Sequence, residues 1–534
     1  MPISSNGSLQ SNLHRSWKTP KSIAWLFTLP VKTTSAILTI AMVLLGLFCY
    51  FWYISSGQMV LPHNGTDYFD LQAQGYLKGQ LSLPVQPDPR LLAMANPYDY
   101  KARGNLPVLW DASLYQGHYY LYWGPTPAIL AAVVKLVHPR QVTDADLVLL
   151  FESVTLIFGA SLISHLRSRL FPDLPGWIIL PPLIMLGFAN PLLYILNRPS
   201  VYEAAITGGQ AFLIVGLFFA ILSIDGQTVR TSFLALAGIC WAFSIGSRQD
   251  LIPAIAFLSI GTAIYILKFA PKEIHIRAMI VLGFPLALGV IGLGGYDMAR
   301  FGSVLETGHN YQLTGVASPA KGHLIISPGY ILPNFYNYLF RPIQLSSKFP
   351  FLSAPKVKQS QWPFFIRLIA PYSLTEPVIG ILWTLPFGLF ALVPVLFQRW
   401  SMVWRTGRGQ IPSISFRSHA SDTQERLFRW LFWGLAGTIL LTGGLLLVYI
   451  TASMRYELDV LPLMAILAFL GFAWGYQLLG SHRKLHRVYV CVAVILLLYT
   501  LIVGLLLGFT GYNNHFQTVN PDLFVRLTNF FPKN

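Results

Sequence analysis

The sequence predicts an all-α polytopic membrane protein of about 11 transmembrane helices with two large outward-facing loops. Three observations predict it. Hydrophobic residues make up 54% of the 534-residue chain and charged residues 11%, a balance that an ordinary soluble globule does not carry. Apolar runs of membrane-spanning length recur from end to end. The basic residues alternate between the segments joining those runs, as the positive-inside rule requires.

Spans are expected at 32–54, 146–165, 177–196, 201–224, 231–247, 251–267, 278–297, 376–398, 430–452, 460–479 and 488–510. The first lacks a small-residue cleavage pattern and follows a polar, basic leader with Arg15, Lys18 and Lys21, so it reads as an uncleaved span. With the N-terminus in the cytoplasm, the inside segments hold 19 of the 37 Lys/Arg and only 5 of the 21 acids. The opposite orientation would place nearly all of the +16 net charge outside. The C-terminus then lies outside.

The apolar stretch 125–139 is too short to span and is interrupted by Lys135; it reads as a helix lying in the outer interface. The resulting organisation is a leader at 1–31, an N-terminal membrane module at 32–297 with a first outer loop at 55–145, and a second outer loop at 298–375. A C-terminal module at 376–510 carries a cytoplasmic loop at 399–429, and an outer tail occupies 511–534. The second outer loop has too little periodicity for its fold to be assigned.

Several classes are excluded. Cys49, Cys240 and Cys491 all sit in apolar runs, which argues against a disulfide framework and a thiolate metal site. No phosphate-cradling glycine loop follows a strand, so nucleotide-driven transport has no support. The bases form no patch with interleaved aromatics, which excludes nucleic acid as a partner.

The candidate site begins at HNGTDYFDLQAQGYLKGQL, 63–81, directly after the first span. Asp67 and Asp70 are three residues apart, which puts both on one face of a helix at the membrane edge. The plain alternative is a capped helix N-terminus, since Thr66 and Asp67 are good capping residues. The segment DASLYQGHYYLYWGPTPAIL, 111–130, with His118, reads either as an interfacial aromatic belt or as a sugar-stacking surface. Glu203 opens a span, and nearby Arg198 offers it an ion-pair partner. SRQD at 247–250 and MRYELD at 454–459 place Arg248 and Arg455 at outer helix ends, where a guanidinium would suit a lipid-linked phosphate. Glu152 lies about 9 Å along a helix from Asp146, inside the apolar zone, and must be paired, protonated or facing a cavity.

These elements resemble the GT-C superfamily of integral-membrane glycosyltransferases, which includes protein O-mannosyltransferases and the transferases that add sugars to bacterial lipid A and lipopolysaccharide. The organisation extends over nearly the whole chain, while the matching motifs are short. They are Asp67 followed by Ala73, Leu77 and Gly79, the acid Glu203 in RPSVYEAA, and the R-Y-x-x-x-x-x-P element in MRYELDVLPL, 454–463, which brings in Tyr456.

The resemblance implies a sugar moved from a polyprenyl-phosphate donor to a glycan, lipid or protein acceptor at the outer face. It makes Asp67, or failing that Asp70, the catalytic base. Arg248 or Arg455 would hold the phosphate, with His118, Glu203 and Tyr456 as substrate contacts. One base acting in line predicts inversion at the anomeric carbon. No cofactor and no metal is assigned. The sequon Asn64-Gly65-Thr66 sits beside the expected base, where a glycan would obstruct chemistry, which favours a bacterial plasma membrane. A secondary transporter and a non-catalytic envelope polysaccharide assembly protein are the competing readings.

Overall fold

The computed structural model describes residues 31–62, 65–314, 325–355, 362–368, 372, 376–397 and 422–531. Most of the leader, Asn64, Lys321, His323 and residues 398–421 of the expected cytoplasmic loop lie outside the described residues.

The chain is helical, with two two-stranded hairpins as its named sheets among the described residues. Nine helical segments are long and apolar enough to cross a membrane, again among the described residues. They include α1 (Val31–Ile54) and the segment Gly176–Leu196. The first outer loop carries α2 (Tyr68–Leu77), β1 (Ser113–Tyr115), β2 (His118–Tyr120) and α3 (Thr126–Val137). Then follow α4 (Asp144–Leu170), α5 (Val201–Ile224), α6 (Thr231–Ser247), α7 (Ile252–Phe269) and α8 (His275–Phe301). The C-terminal part adds α9 (Asp422–Leu447), α10 (Leu461–Leu478) and α11 (Arg483–Thr510).

Each of the eleven expected spans meets a helical counterpart, and two differ from expectation. Helix α6 has 17 residues, a little short of the usual spanning length. The segment expected as a continuous span at 376–398 is broken: helix forms over Ile381–Thr384, stops at Leu385, and resumes at Pro386. Proline has no N–H for the preceding turn, and its ring crowds the carbonyl four residues back, so hydropathy alone overestimates this helix.

Apolar residues on every face make Gly176–Leu196 and α5 the buried centre, whereas most of α8 is exposed. Helix α5 packs against α4 on one side and α6 on the other, and α6 packs against α8. The short helix α3 buries Thr126, Pro127, Ala128 and Ala131 and exposes Ile129, Val133, Leu136 and Val137. It packs against α2, as an amphipathic helix too short to span should do with its neighbour.

The second outer loop, unassigned from sequence, is stitched to the first. The Asp111 amide donates to the Leu313 carbonyl at 3.0 Å and the Leu313 amide to the Ala112 carbonyl at 2.9 Å. Ser113 forms an antiparallel bridge with Gln312. The two loops therefore form one cap over the helix ends that carry the charged candidates.

Candidate functional site

Helix α1 ends at Ile54 and α2 begins directly after Asp67, α4 and α5 begin at Asp144 and Val201, and α6 ends one residue before Arg248. Consecutive helices run antiparallel, so these termini gather at one end of the bundle, and the ion pairs among them confirm it. Two cavities open there.

The first is a cleft of about 500 Å³ lined by Thr66, Asp67, Asp70, Gln74, Lys135 and Gln141, among others. Both aspartates are buried and line it, although only Asp70 lies within α2 and Asp67 stands at the residue before the helix. Their partners differ. Asp70 Oδ1 accepts from Lys135 Nζ at 2.6 Å and from the Val142 amide at 2.8 Å, and Oδ2 accepts from Gln74 Nε2 at 2.7 Å. Asp67 Oδ1 accepts from the Asp144 amide at 2.9 Å and Oδ2 from Gln141 Nε2 at 2.7 Å, with no cation within ion-pair distance among the described residues. Burial pushes the Asp67 carboxyl above its usual range against those two bonds, and neighbouring Asp70 and Asp146 push the same way.

The capping alternative is met only in part. Asp67 occupies the N-cap position of α2, yet its side chain makes no capping bond. A left-handed backbone, φ 44°, turns the carboxylate toward the start of α4 instead; aspartate tolerates this region better than most residues. The capping pattern that sequence favours is found at Thr143, which forms a capping box with Asp146.

The second cavity is an enclosed chamber of about 220 Å³ lined by Trp110, Arg198, Ser200, Tyr202, Glu203, Glu376, Arg455 and Tyr512. Arg455 is its centre. Its guanidinium lies 2.8 Å from Glu376 and 3.6 Å from Glu203 and packs over the Tyr202 ring at 4.1 Å. Burial opposes that charge; Tyr512, Glu376, Tyr456 and Glu203 outweigh it and hold the arginine protonated. Glu376 also accepts from Tyr512 at 2.9 Å and from Ser453. The expected Arg198–Glu203 pair is thus corrected: Glu203 takes Arg455 and the Ser200 hydroxyl, and Arg198 stays exposed above the Tyr512 ring.

Arg248 stands beside this chamber, 2.9 Å from Asp459 and 3.4 Å from Asp250. Tyr456 lies between the two arginines, 5.4 Å from the Arg248 guanidinium and 5.5 Å from that of Arg455. Glu203, Arg248, Arg455 and Tyr456 therefore converge. His118 does not join them; it is exposed on β2 at the hairpin rim and lines neither cavity.

A wall of rings connects the two cavities. Tyr68, next to Asp67, lies 6.0 Å from Trp123, and Trp123 lies 5.2 Å from Tyr202. Tyr122 is sandwiched between Trp123 at 4.1 Å and His309 at 4.3 Å. Gly124 permits this docking: a Cβ there would stand 2.1 Å from the Gly246 carbonyl oxygen. The rings of the segment 111–130 are therefore packed between the two cavities and line neither of them.

Sequence reasoning missed Asp111, Asp144 and Glu376. Asp111 accepts from the Tyr202 hydroxyl, and burial, against the pull of Arg455, pushes its carboxyl up to about 6. Asp144 is buried with Oδ1 lacking a hydrogen-bond partner among the described residues. The surplus acid in T-D-A-D, where only Asp146 is needed for the cap, was the available signal for Asp144. Glu376 had none, since it meets Arg455 across a loop without periodicity.

No protein-family model matches the chain, and no curated protein matches it in sequence. Two solved structures show similarity: the apo oligosaccharyltransferase of Archaeoglobus fulgidus, at 11% identity and a TM-score of 0.46, and archaeal oligosaccharyltransferase AglB from the same organism with an inhibitory peptide and a dolichol-phosphate, at 10% and 0.42. The matches cover 89% and 88% of this chain and 56% and 55% of those chains, so it spans about half their length.

Proposed function

We propose that the protein is a membrane glycosyltransferase that moves a sugar from a polyprenyl-phosphate donor to an acceptor hydroxyl at the outer face. The observation that carries this reading is the pairing of Asp67, a buried carboxylate with no cation within ion-pair distance among the described residues, with an arginine-bearing chamber, the rings of Tyr68, Trp123 and Tyr202 running between them.

Asp67 is the general base in this reading. Its raised carboxyl range suits it to take a proton, whereas Asp70 is neutralised by Lys135 and is the support. The acceptor oxygen bonds to the anomeric carbon as the bond from that carbon to the phosphate oxygen breaks. The electron pair leaves with the phosphate, and the acceptor proton passes to Asp67. Attack opposite the leaving group inverts the anomeric carbon. The second charge that develops on the phosphate is what an arginine of the chamber would stabilise. Glu203, which lines the chamber, and Asp111, which holds the Tyr202 hydroxyl behind it, would orient sugar hydroxyls, and Tyr456 lies between the two arginines.

The chain lies in the bacterial plasma membrane with the cavities outside in this reading, so that the donor arrives laterally through the outer leaflet. Purified protein supplied with a panel of polyprenyl-phosphate sugars tests it. One donor should be consumed, with release of lipid phosphate and a product of inverted anomeric configuration. Retention of configuration would remove the single-base mechanism, and consumption of no donor would remove the transferase reading.

A further inference from the structure

We propose that Arg198, rather than Arg248 or Arg455, receives the phosphate of the lipid-linked donor; this deepens the transferase reading and rests on it. Four cations at the site are held by carboxylates. Lys135 is held by Asp70, Arg140 by Asp146 through both guanidinium arms, Arg248 by Asp459 and Asp250, and Arg455 by Glu376 and Glu203. Arg198 lines the second chamber with no carboxylate within ion-pair distance among the described residues.

Its position is built rather than incidental. Asn197 is buried, and its side-chain amide donates to the Leu193 and Gly508 carbonyls, which fixes the backbone immediately before Arg198. The Arg198 amide donates to the Ile195 carbonyl at 3.0 Å, and Pro199 restricts the chain on the other side. The guanidinium rests 5.6 Å from the centre of the Tyr512 ring, whose hydroxyl is bound to Glu376. The cation is thereby tethered at the chamber mouth, with no hydrogen bond from its guanidinium among the described residues.

Charge balance makes the same assignment. Glu203 and Glu376 cancel Arg455 and leave one negative charge over, so without Arg198 the chamber would repel a phosphate. With Arg198 it is neutral before the donor enters. The donor phosphodiester carries one negative charge and the departing phosphomonoester acquires a second, so contact with a free guanidinium strengthens as the glycosidic bond breaks.

The test uses the full chain in nanodiscs of phosphatidylcholine, with and without phosphatidylglycerol, and two readouts: binding of a polyprenyl monophosphate and kcat/KM for the donor the wild type accepts. Arg198→Ala should weaken both by roughly 10- to 100-fold, the range of a lost charge-assisted contact. Arg198→Lys should recover part of the loss, and Arg526→Ala, an exposed arginine on the outer tail, should change nothing. Both lipid compositions should give the same result. If the wild type turns over a donor and Arg198→Ala matches it, the phosphate goes elsewhere and only this inference falls. A loss confined to phosphatidylglycerol discs would also overturn it, by assigning Arg198 to bulk lipid headgroups. If the wild type neither binds the lipid phosphate nor consumes a donor, the transferase reading falls with it.

Discussion

Lys135 Nζ lies 2.6 Å from Asp70 Oδ1, and this one ion pair separates the roles of two aspartates that line the same cleft. Asp70 is neutralised and triply hydrogen-bonded, while Asp67, three residues earlier, has two neutral donors and no cation among the described residues.

The first prediction concerns stability. Asp70→Asn leaves the Lys135 ammonium, only 13% exposed, without its counter-charge. Breaking a buried pair on one side costs about 3–5 kcal/mol. The melting temperature in detergent should fall clearly, and adding Lys135→Met should recover part of it. An Asp70→Asn protein as stable as wild type would show that the pair carries no structural weight.

Asp111 gives a pH dependence with a definite sign. Burial raises its carboxyl from 3.8 to about 6 in the folded protein, so the fold holds this proton more tightly than the unfolded chain does. The resulting stabilisation is full below 3.8 and is lost as pH rises through about 6. Asp111→Asn lacks this dependence. The melting temperature of the variant, relative to wild type, should therefore rise between about pH 4 and about pH 7. A difference that stays flat with pH would contradict the burial assigned to this carboxyl.

Gly124→Ala tests the aromatic wall. The new Cβ would meet the Gly246 carbonyl oxygen at 2.1 Å, backbone against backbone, so the Tyr122–Trp123 segment must move. The expected cost is roughly 1–3 kcal/mol together with reduced donor turnover. Gly283→Ala, where an added Cβ meets nothing within 4 Å, should be neutral or slightly stabilising through helix propensity. Thermal melts of the two variants side by side check the difference.

The parts of this architecture that depend on local pattern were legible in the sequence. Apolar run lengths located the helices, and the place of Asp67 and Asp70 soon after the first span marked the cleft that both line, although Asp67 reaches it from a left-handed turn and not from the helix face that the spacing suggests. What depended on long-range packing was not legible. Glu203 and Arg455 are 252 positions apart and meet only because α5 packs against the turn Met454–Asp459 that precedes α10. Proximity in sequence favoured Arg198 as the partner of Glu203, and the fold put another guanidinium there. The helix break at Leu385–Pro386 lay within reach of sequence reasoning, because proline chemistry predicts it where hydropathy does not.

The central claim is that Asp67 is the base for sugar transfer. The direct measurement is release of free lipid phosphate by the wild type, Asp67→Asn and Asp67→Glu, each shown to be folded by its melting temperature. The account predicts that Asp67→Asn, which keeps the size and the oxygen that accepts from the Asp144 amide and offers an NH2 to which Gln141 can turn its amide oxygen, melts close to wild type and loses turnover by at least roughly 100-fold, with partial activity in Asp67→Glu. A folded Asp67→Asn protein that releases lipid phosphate at the wild-type rate would contradict it and leave Asp67 a structural link between α2 and α4.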